Sequence, residues 1–505
     1  MESKRWYKCI NLLWNINFDF QAIAKWLGQK RLKELAEYGS TNWNGYKIRW
    51  VKDKMFRIYL KKYKRWIWFF DLYQFYGMSL AKASKIYLGI RKYDISKDIP
   101  NMIERGEIRK PISACIQHAY LTKLLGIKFN NDLQKYASIY YDKWYSMGKL
   151  AEILVRQHCY IPIWKENLED TRFIIKAYRG GWVELYKRGR FENIYKYDIN
   201  SAYPYQILFL RDFYPIRNLD HADYGTVEVE IEAIGYITYP HFRAKNMIIL
   251  PNGNFKTWLT VKEYRKLKED GYKMIIKRYK VYKAYGDYLF KDLIYFLYLN
   301  RKRFKILKLL LNSIYGKFIQ IRNGVTGNLF NPIWASEITA GCRLQIYDLL
   351  KKIDKRKIIG VATDCIFLKG DVQIDESNEI GRLKKEYWKE GIFIHNGIYT
   401  LRGGDDIYCK NRGFRGYLNL FEILEQNYDK DEIQLTQQQL ITIKQTLRQI
   451  YKFKWEDVNK FINQIKKINF FYPKRVYPVN LKAKDFLVRE IDSFPHWVQI
   501  IPNFY

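Results

Sequence analysis

The chain has 505 residues, 48% of them hydrophobic, which is enough to build several packed cores and excludes a disordered chain. Lys and Arg number 88 against 52 Asp and Glu, a net charge of +36, and an excess of that size points to a polyanionic partner, most economically nucleic acid. An anionic membrane is the competing partner, but no run of about 18 uncharged apolar residues is present; even "WIWFFDLYQFYGMSLA" is broken by Asp71, so no membrane association is expected.

The start, "MESKRWYKCINLLW", has no small-residue cleavage site after its short apolar run and does not read as a secretory signal, so an intracellular protein is expected. The six cysteines (9, 115, 159, 342, 365 and 409) lie far apart with no CxxC pair, which argues against a disulfide framework and a structural zinc.

In chain order, "YKIRWVKDKMFRIYL" predicts two alternating strands about a "KDK" turn, and "SLAKASKIYLG" and "PISACIQHAYLTKLL" predict helices. From about 170 to 260, turn-bounded strands are expected ("FIIKAYRGGWVELY", "YGTVEVEIEAIGYITY"). "LTVKEYRKLKEDGY" and "GDYLFKDLIYFLYLNRKRFKILKLLLNSIYGKF" then read as helices. The segment from roughly 430 to 470, with "QQLITIKQTLRQIYKFKWEDVNKFINQIKK", reads as helical and basic.

"IYKYDINSAYPYQI" (194–207) starts as a strand, places Asp198 at its end and turns through "NSAYP" into a short helix. A joint of this kind sets an acid beside exposed backbone N–H groups, which suits a metal-bound triphosphate; capping a turn is the commoner duty of such an Asp. In "KLLLNSIYGKF" (308–318), Lys308, Asn312 and Tyr315 recur at helical spacing, and Arg301 lies two turns before Lys308 on the same predicted face. Two cations on one face can grip phosphates, although a solvated basic stripe has the same pattern. "IIGVATDCIFLKG" (358–370) predicts a hairpin with "ATD" at its tip, where residues 362 and 364 face the same side if the backbone stays extended.

"YDINSAYP", "KLLLNSIYG" and "ATDC", in that order, resemble motifs A, B and C of family B DNA polymerases, and "AYRGGW" (177–182) resembles the YxGG element of the protein-primed branch. The Kx3NSxYG match is complete, while motif A departs at Ala202, where a Leu is usual. The resemblance covers roughly 170 to 400. It implies that Asp198 and Asp364 are the catalytic, metal-bridging carboxylates for Mg²⁺ or Mn²⁺, that Arg301 and Lys308 hold the incoming dNTP, and that Asn312 and Tyr315 line the nascent pair. Tyr203 would close the ribose 2′ position. Tyr178, Arg179, Gly180, Gly181, Tyr399 and Lys317 would contact DNA. The family has Asp at both ends of the motif C triplet, whereas this chain has Ala362. Two carboxylates remain a sufficient minimum for Mg²⁺, so an impaired site is expected, with Asp371 a residue that could compensate. Gly397 replaces the Lys of the KxY motif, leaving His395 or Arg402 to take its place.

"WNINFDFQAIAKWL" (14–27) resembles the Exo II motif of the family's 3′–5′ exonuclease through Asn15, Phe18 and Asp19. The expected DxE has no counterpart before it. "ISACIQHAYLTKLL" aligns with YxxxD but offers Ala114 and His118, and "KYDI" (92–95) is a faint Kx2h element, so proofreading is expected to be lost. That region is expected to guide single strands through Lys47, Arg49, Trp50, Arg57 and Tyr59.

The implied fold is α/β and multi-domain: an RNase H-like exonuclease remnant, then a right-hand polymerase with an antiparallel palm sheet, small helical fingers and a helical, basic thumb. The implied domains are a degenerate exonuclease-like domain (1–150), YxGG loop and palm (151–289), fingers (290–318), palm (319–415) and thumb (416–505). At most a small hairpin fits between motifs B and C. The resemblance implies a template-directed polymerase of viral or plasmid protein-primed replication, working on primer-template DNA with a separate terminal protein, in the host cytoplasm if viral. The rival reading is a catalytically weak or inactive polymerase-like replication scaffold.

Overall fold

Alternating apolar residues at Ile48 and Trp50, and at Phe56, Ile58 and Leu60, make two strands with one buried face, Tyr46–Val51 and Met55–Leu60. They belong to the first of two units in a computed structural model that describes residues 10–16, 19–20, 25–51, 54–92, 99–139, 144–244, 247–322, 324–414, 416–441, 460–478 and 480–499. The first unit comprises 1–158, 296–314 and 438–463, and the second 159–295, 315–437 and 464–505.

The first unit holds a five-stranded sheet in the order Asn11–Leu13, Arg65–Asp71, Met55–Leu60, Tyr46–Val51, Ser40–Trp43. Only the first pairing is parallel. The helix Gly28–Tyr38 contributes Leu32 and Leu35 to the core on one face. The long helix Arg109–Ala137 buries Leu121, Leu125, Phe129 and Leu133 at helical spacing. The helix Ile306–Ile314 packs Ile306, Leu307, Leu310, Leu311 and Ile314 inward, against Met147–His158.

The second unit is built on a sheet whose strands run in the order Asp406–Asn411, Ile398–Gly403, Leu383–His395, Lys187–Ile199, Cys365–Lys369, Ile358–Thr363, Trp182–Leu185. All its pairings are antiparallel, as the palm expectation required. A second sheet carries Tyr224–Ala233 between Asn252–Thr260 and Met274–Tyr285. The helix Pro332–Lys352 is buried on nearly all sides, which is why its sequence lacks a polar face. Between motif B and the helix Pro332–Lys352 the described residues form a small hairpin of two-residue strands, Ile321–Arg322 and Val325–Thr326. Among the described residues no helix is long and apolar enough to cross a membrane.

Three local expectations are corrected. Phe173–Ile175 close a helix, Leu168–Ile175, rather than a strand: the Asn167 side chain accepts the Asp170 N–H at 2.8 Å, and Glu169 and Asp170 occupy the first turn. In the segment expected to be the thumb, Glu432–Leu440 and Phe461–Asn469 are paired strands rather than helix, and burial alternates along the second, the period of a strand. Residues 442–459 of that expected helix lie outside the described residues. Arg301 and Lys308 do not share a continuous helix, because Lys291–Asn300 ends before Arg301 and the next helix starts at Ile306.

Glu263 anchors the second unit's interior. It is wholly buried and receives Arg343 Nη2 at 2.7 Å and Arg179 Nη2 at 3.1 Å, with the Tyr239 hydroxyl also donating to it. Burial works against its charge, yet Arg343 and Arg179 hold the carboxyl well below the usual carboxylate range. Because the folded-state pKa is depressed, this stabilisation is complete above the unfolded pKa and is lost as pH falls through and below about 4. Glu263→Gln leaves two buried guanidiniums facing a neutral group, and chemical denaturation at pH 7 is expected to register a loss of about 3 to 5 kcal/mol that shrinks in acid.

Candidate functional site

Asp198 is the penultimate residue of the strand Lys187–Ile199, and its Cα partner on the neighbouring strand is Cys365. The residue before that partner is Asp364, whose carbonyl accepts the Ile199 N–H at 2.8 Å. The antiparallel register therefore sets the two acids side by side. Their charges are felt: burial first, and the Asp198 carboxylate second, push the Asp364 carboxyl up to about 6. Beyond Ile199 the chain passes Ser201 in the left-handed region (φ 52°) and enters the short helix Ala202–Ile207.

The hairpin tip is tighter than an extended backbone. Thr363 has φ 65°, and the Asp364 N–H bonds the Ala362 carbonyl at 2.9 Å, so residues 362 and 364 do not share a face by simple alternation. Asp371 does not compensate for Ala362: the five-residue strand Cys365–Lys369 carries it to the far end of the hairpin. There it accepts from the Tyr197 hydroxyl at 2.6 Å and from Lys385 at 3.0 Å.

Lys196, unmarked in the sequence reading, has its ammonium 3.8 Å from Asp198 and 3.2 Å from Glu386. Burial opposes its charge, but Asp198, Cys365 and Glu386 outweigh that and hold the ammonium above its usual range. Its place two residues before Asp198 on a strand was the available signal, since that spacing returns to the same face. One lysine does not cancel the pair's repulsion, as the raised Asp364 records. Two carboxylates left in that state suit a divalent cation completed by substrate phosphates and water. Among the described residues no group of three or more His, Cys, Asp or Glu could hold a metal, so the pair stands without a third acid.

The YxGG loop closes on this tip. A Cβ on Gly181 would lie 2.9 Å from both the Thr363 Cβ and the Tyr203 hydroxyl, a spacing that only glycine permits. Gly180 is exposed, and Tyr178 is half-buried, its hydroxyl pKa raised by burial and by Tyr315. Arg179 is corrected: its side chain is 4% exposed, pairs with Glu263 and stacks over the Tyr239 ring at 4.8 Å, so it braces the loop from within instead of meeting DNA. Arg343, also missed from sequence, donates to the carbonyls of Arg179 at 2.7 Å and Gly180 at 2.9 Å and so carries the loop. The Tyr203 and Tyr315 rings meet at 4.4 Å and 52°, forming an aromatic wall beside the acids.

Tyr399 is also corrected. Its ring is 5% exposed and packed against Phe367 and Phe393, which makes it a core residue of the second unit's main sheet. Lys317 donates to the Gln320 side chain. Arg402 donates to Glu390 at 3.1 Å and stacks on Phe421, while His395 binds the Asn469 carbonyl and burial lowers its pKa to about 4, so neither replaces the lysine absent at Gly397. In the first unit, Lys308 and Asn312 stand one turn apart on the exposed face of Ile306–Ile314, and Arg301 lies over the Tyr298 ring at 3.2 Å.

The exonuclease-like stretch has Asn15 at φ 67°, its N–H bonded to Asp71 Oδ1 at 3.0 Å. Burial pushes the carboxyl of Asp19 up to about 6, and that of Asp71 likewise, where the Asp19 charge adds to it. Asp71 was read only as a break in an apolar run. Phe18, and residues 93–95 of "KYDI", lie outside the described residues. On the sheet, Lys47 and Arg49 are exposed, Arg57 lies between Trp66 (4.1 Å) and Trp68 (4.4 Å), Tyr59 is half-buried, and Trp50 belongs to the core.

A model of the family described as DNA polymerase type B, organellar and viral, matches residues 115–323. Over that stretch the chain is similar to the type B DNA polymerases of organelles and viruses. The DNA polymerase of Acidianus bottle-shaped virus (isolate Italy/Pozzuoli) is 30% identical over 268 residues, which is 47% of this chain and 40% of that protein. A probable DNA polymerase of Ascobolus immersus is 26% identical over 435 residues, 70% of this chain and 33% of that protein. The chain thus spans less than half the length of these relatives. Phi29 DNA polymerase has the same fold: its complex with primer-template DNA and incoming nucleotide substrates aligns at a TM-score of 0.66, covering 91% of this chain and 90% of that one at 16% identity. Its binary complex with primer-template DNA aligns at 0.62 over the same shares.

The acid pair makes a direct prediction. In the metal-free chain, Asp198→Asn removes the neighbouring charge and the Asp364 pKa is expected to fall from about 6 toward the ordinary carboxylate value, as read by carbon-13 NMR titration.

Proposed function

We propose that the chain is a template-directed DNA polymerase that adds dNTPs to a 3′-OH by phosphoryl transfer with two divalent ions, in viral or plasmid replication primed by a separate terminal protein. The observation that carries this reading is the Asp198–Asp364 pair, two acids from adjacent strands whose mutual repulsion is relieved by cations. Divalent ions bound there supply Lewis acidity at the attacking 3′-oxygen and at the pyrophosphate leaving group.

The chain's own residues do the rest. Asp198 and Asp364 hold the ions from one side, and Lys196 fixes the Asp198 carboxylate. The Tyr203–Tyr315 wall limits the space at the ribose 2′ position, which selects deoxyribose. Lys308 offers an exposed cation to the triphosphate, with Asn312 one turn on. Gly180 and Gly181 let a template strand approach the loop's backbone closely. The exonuclease-like region, with Ala114 and His118 where the YxxxD motif has Tyr and Asp, acts as a strand guide without proofreading.

Primer extension tests the reading. With Mg²⁺ or Mn²⁺, Asp198→Ala and Asp364→Ala are each expected to cut incorporation by about a thousandfold or more, equivalent to about 4 kcal/mol of transition-state stabilisation. Incorporation that is absent under both ions, or indifferent to both substitutions, supports the replication scaffold instead. If the acid missing at Ala362 would contribute about 2 to 4 kcal/mol, Ala362→Asp should speed extension by about 30- to 1000-fold. No gain would show that two acids suffice.

A further inference from the structure

Gly397 leaves its position without a side chain, and the space is filled by Arg412, the first residue after the neighbouring strand Asp406–Asn411. The Arg412 N–H bonds the Gly397 carbonyl at 2.8 Å, and a Cβ on Gly397 would lie 2.7 Å from the Arg412 Cβ and 2.9 Å from its Cδ. Contacts that short do not occur between real side-chain carbons, so Gly397 is the residue that the Arg412 stem requires. Among the described residues the Arg412 guanidinium has no hydrogen-bond or ion-pair partner.

Both residues line a cavity of about 440 Å³ bordered by the YxGG glycines, and Lys474 lines it too. Lys474 donates to the Val183 carbonyl at 2.7 Å, and burial lowers its ammonium pKa, against the pull of Glu184 and with the push of Arg412. Glu184, the acid on the lining, is already engaged by Arg475 at 3.0 Å and by Trp182 at 3.1 Å. Arg179 and Arg343 border the same cavity and share one carboxylate, Glu263. Positive charge on this lining exceeds the negative, and both the half-buried Lys474 and the exposed Arg412 can be stabilised by a bound anion.

We propose that Arg412 and Lys474 form a seat for a backbone phosphate of a nucleic-acid strand passing the YxGG loop, with Arg412 supplying, from the turn after Asp406–Asn411, the cation that position 397 does not carry. The seat rests on the polymerase reading for its ligand, and its chemistry is that of a phosphodiester. Arg412 brings a planar fork suited to two phosphate oxygens, and Lys474 a point charge.

The test uses the full chain and a fluorescein-labelled primer-template duplex, with affinity read by anisotropy across a salt series. Arg412→Met and Lys474→Met are each expected to weaken DNA binding by about tenfold and to reduce the slope of log affinity against log salt by about one, the signature of one lost phosphate contact. The KM for dNTP should stay unchanged. Circular dichroism confirms that the variants fold. An unchanged DNA affinity and slope overturns the seat, and a raised KM for dNTP with unchanged DNA affinity overturns it in favour of a free nucleotide phosphate.

The exchange of positions has its own arm. Gly397→Lys alone should lose DNA affinity through collision with Arg412, and because the nearest atom is the Arg412 Cβ, only the double variant Gly397→Lys, Arg412→Gly should recover it. Full affinity in the single variant, or no recovery in the double, refutes the exchange. These binding results are separate from the polymerase reading, which fails instead if Asp198→Ala extends primers at the normal rate.

Discussion

The antiparallel register between Lys187–Ile199 and Cys365–Lys369 is the constraint on which the candidate site depends. Shifting it by one residue would move every side chain of one strand to the opposite face and part the two acids. The register is held by packing on both sides: Tyr197, Ile199, Ile366 and Leu368 enter one core, and Phe191, Ile194, Cys365 and Phe367 another. A pair of like charges is thus kept in place by apolar packing, and the Asp364 carboxyl is raised first by burial and second by the Asp198 charge.

A second group of buried charges serves the same site from behind. Arg343 holds the carbonyls of the YxGG loop, Glu263 neutralises Arg343 and Arg179, and the loop's Gly181 rests on Thr363 and Tyr203. The loop, the motif C tip and the motif A tyrosine therefore form one packed object. The organisation is economical in residues, and it explains why a residue with the look of a DNA-binding cation, Arg179, is spent on internal support.

The two departures from the family pattern differ in kind. At position 362 nothing replaces the missing acid: Asp371 is held at the opposite end of its hairpin by Tyr197 and Lys385. At position 397 the missing cation has a neighbour whose stem needs the vacancy. One departure leaves the hairpin tip with one acid fewer, and the other leaves a space that the Arg412 side chain fills. A sequence alone presents both as a small residue where a charged one is usual.

The strands and helices around the motifs were legible because their signals are local: alternation in "YKIRWV", a helical stripe in "ILKLLLNSI", an acid at a strand end. Where local signals competed, reading failed, as at Phe173–Ile175, where the Asn167 cap outweighed a β-prone run, and in the thumb, where a polar stretch with both periods settled as strands through pairing. Arg301 was misplaced because helical spacing was carried across a break. By itself the sequence determined many of the short elements and singled out the candidate residues they hold, since backbone preference and side-chain identity act over a few residues. The tertiary structure alone decided that Asp364 lies beside Asp198, that Arg179 and Tyr399 face inward, and that Arg412 occupies the space of Gly397. Those relations arise from strand register and core packing between segments distant along the chain, and no spacing rule encodes them.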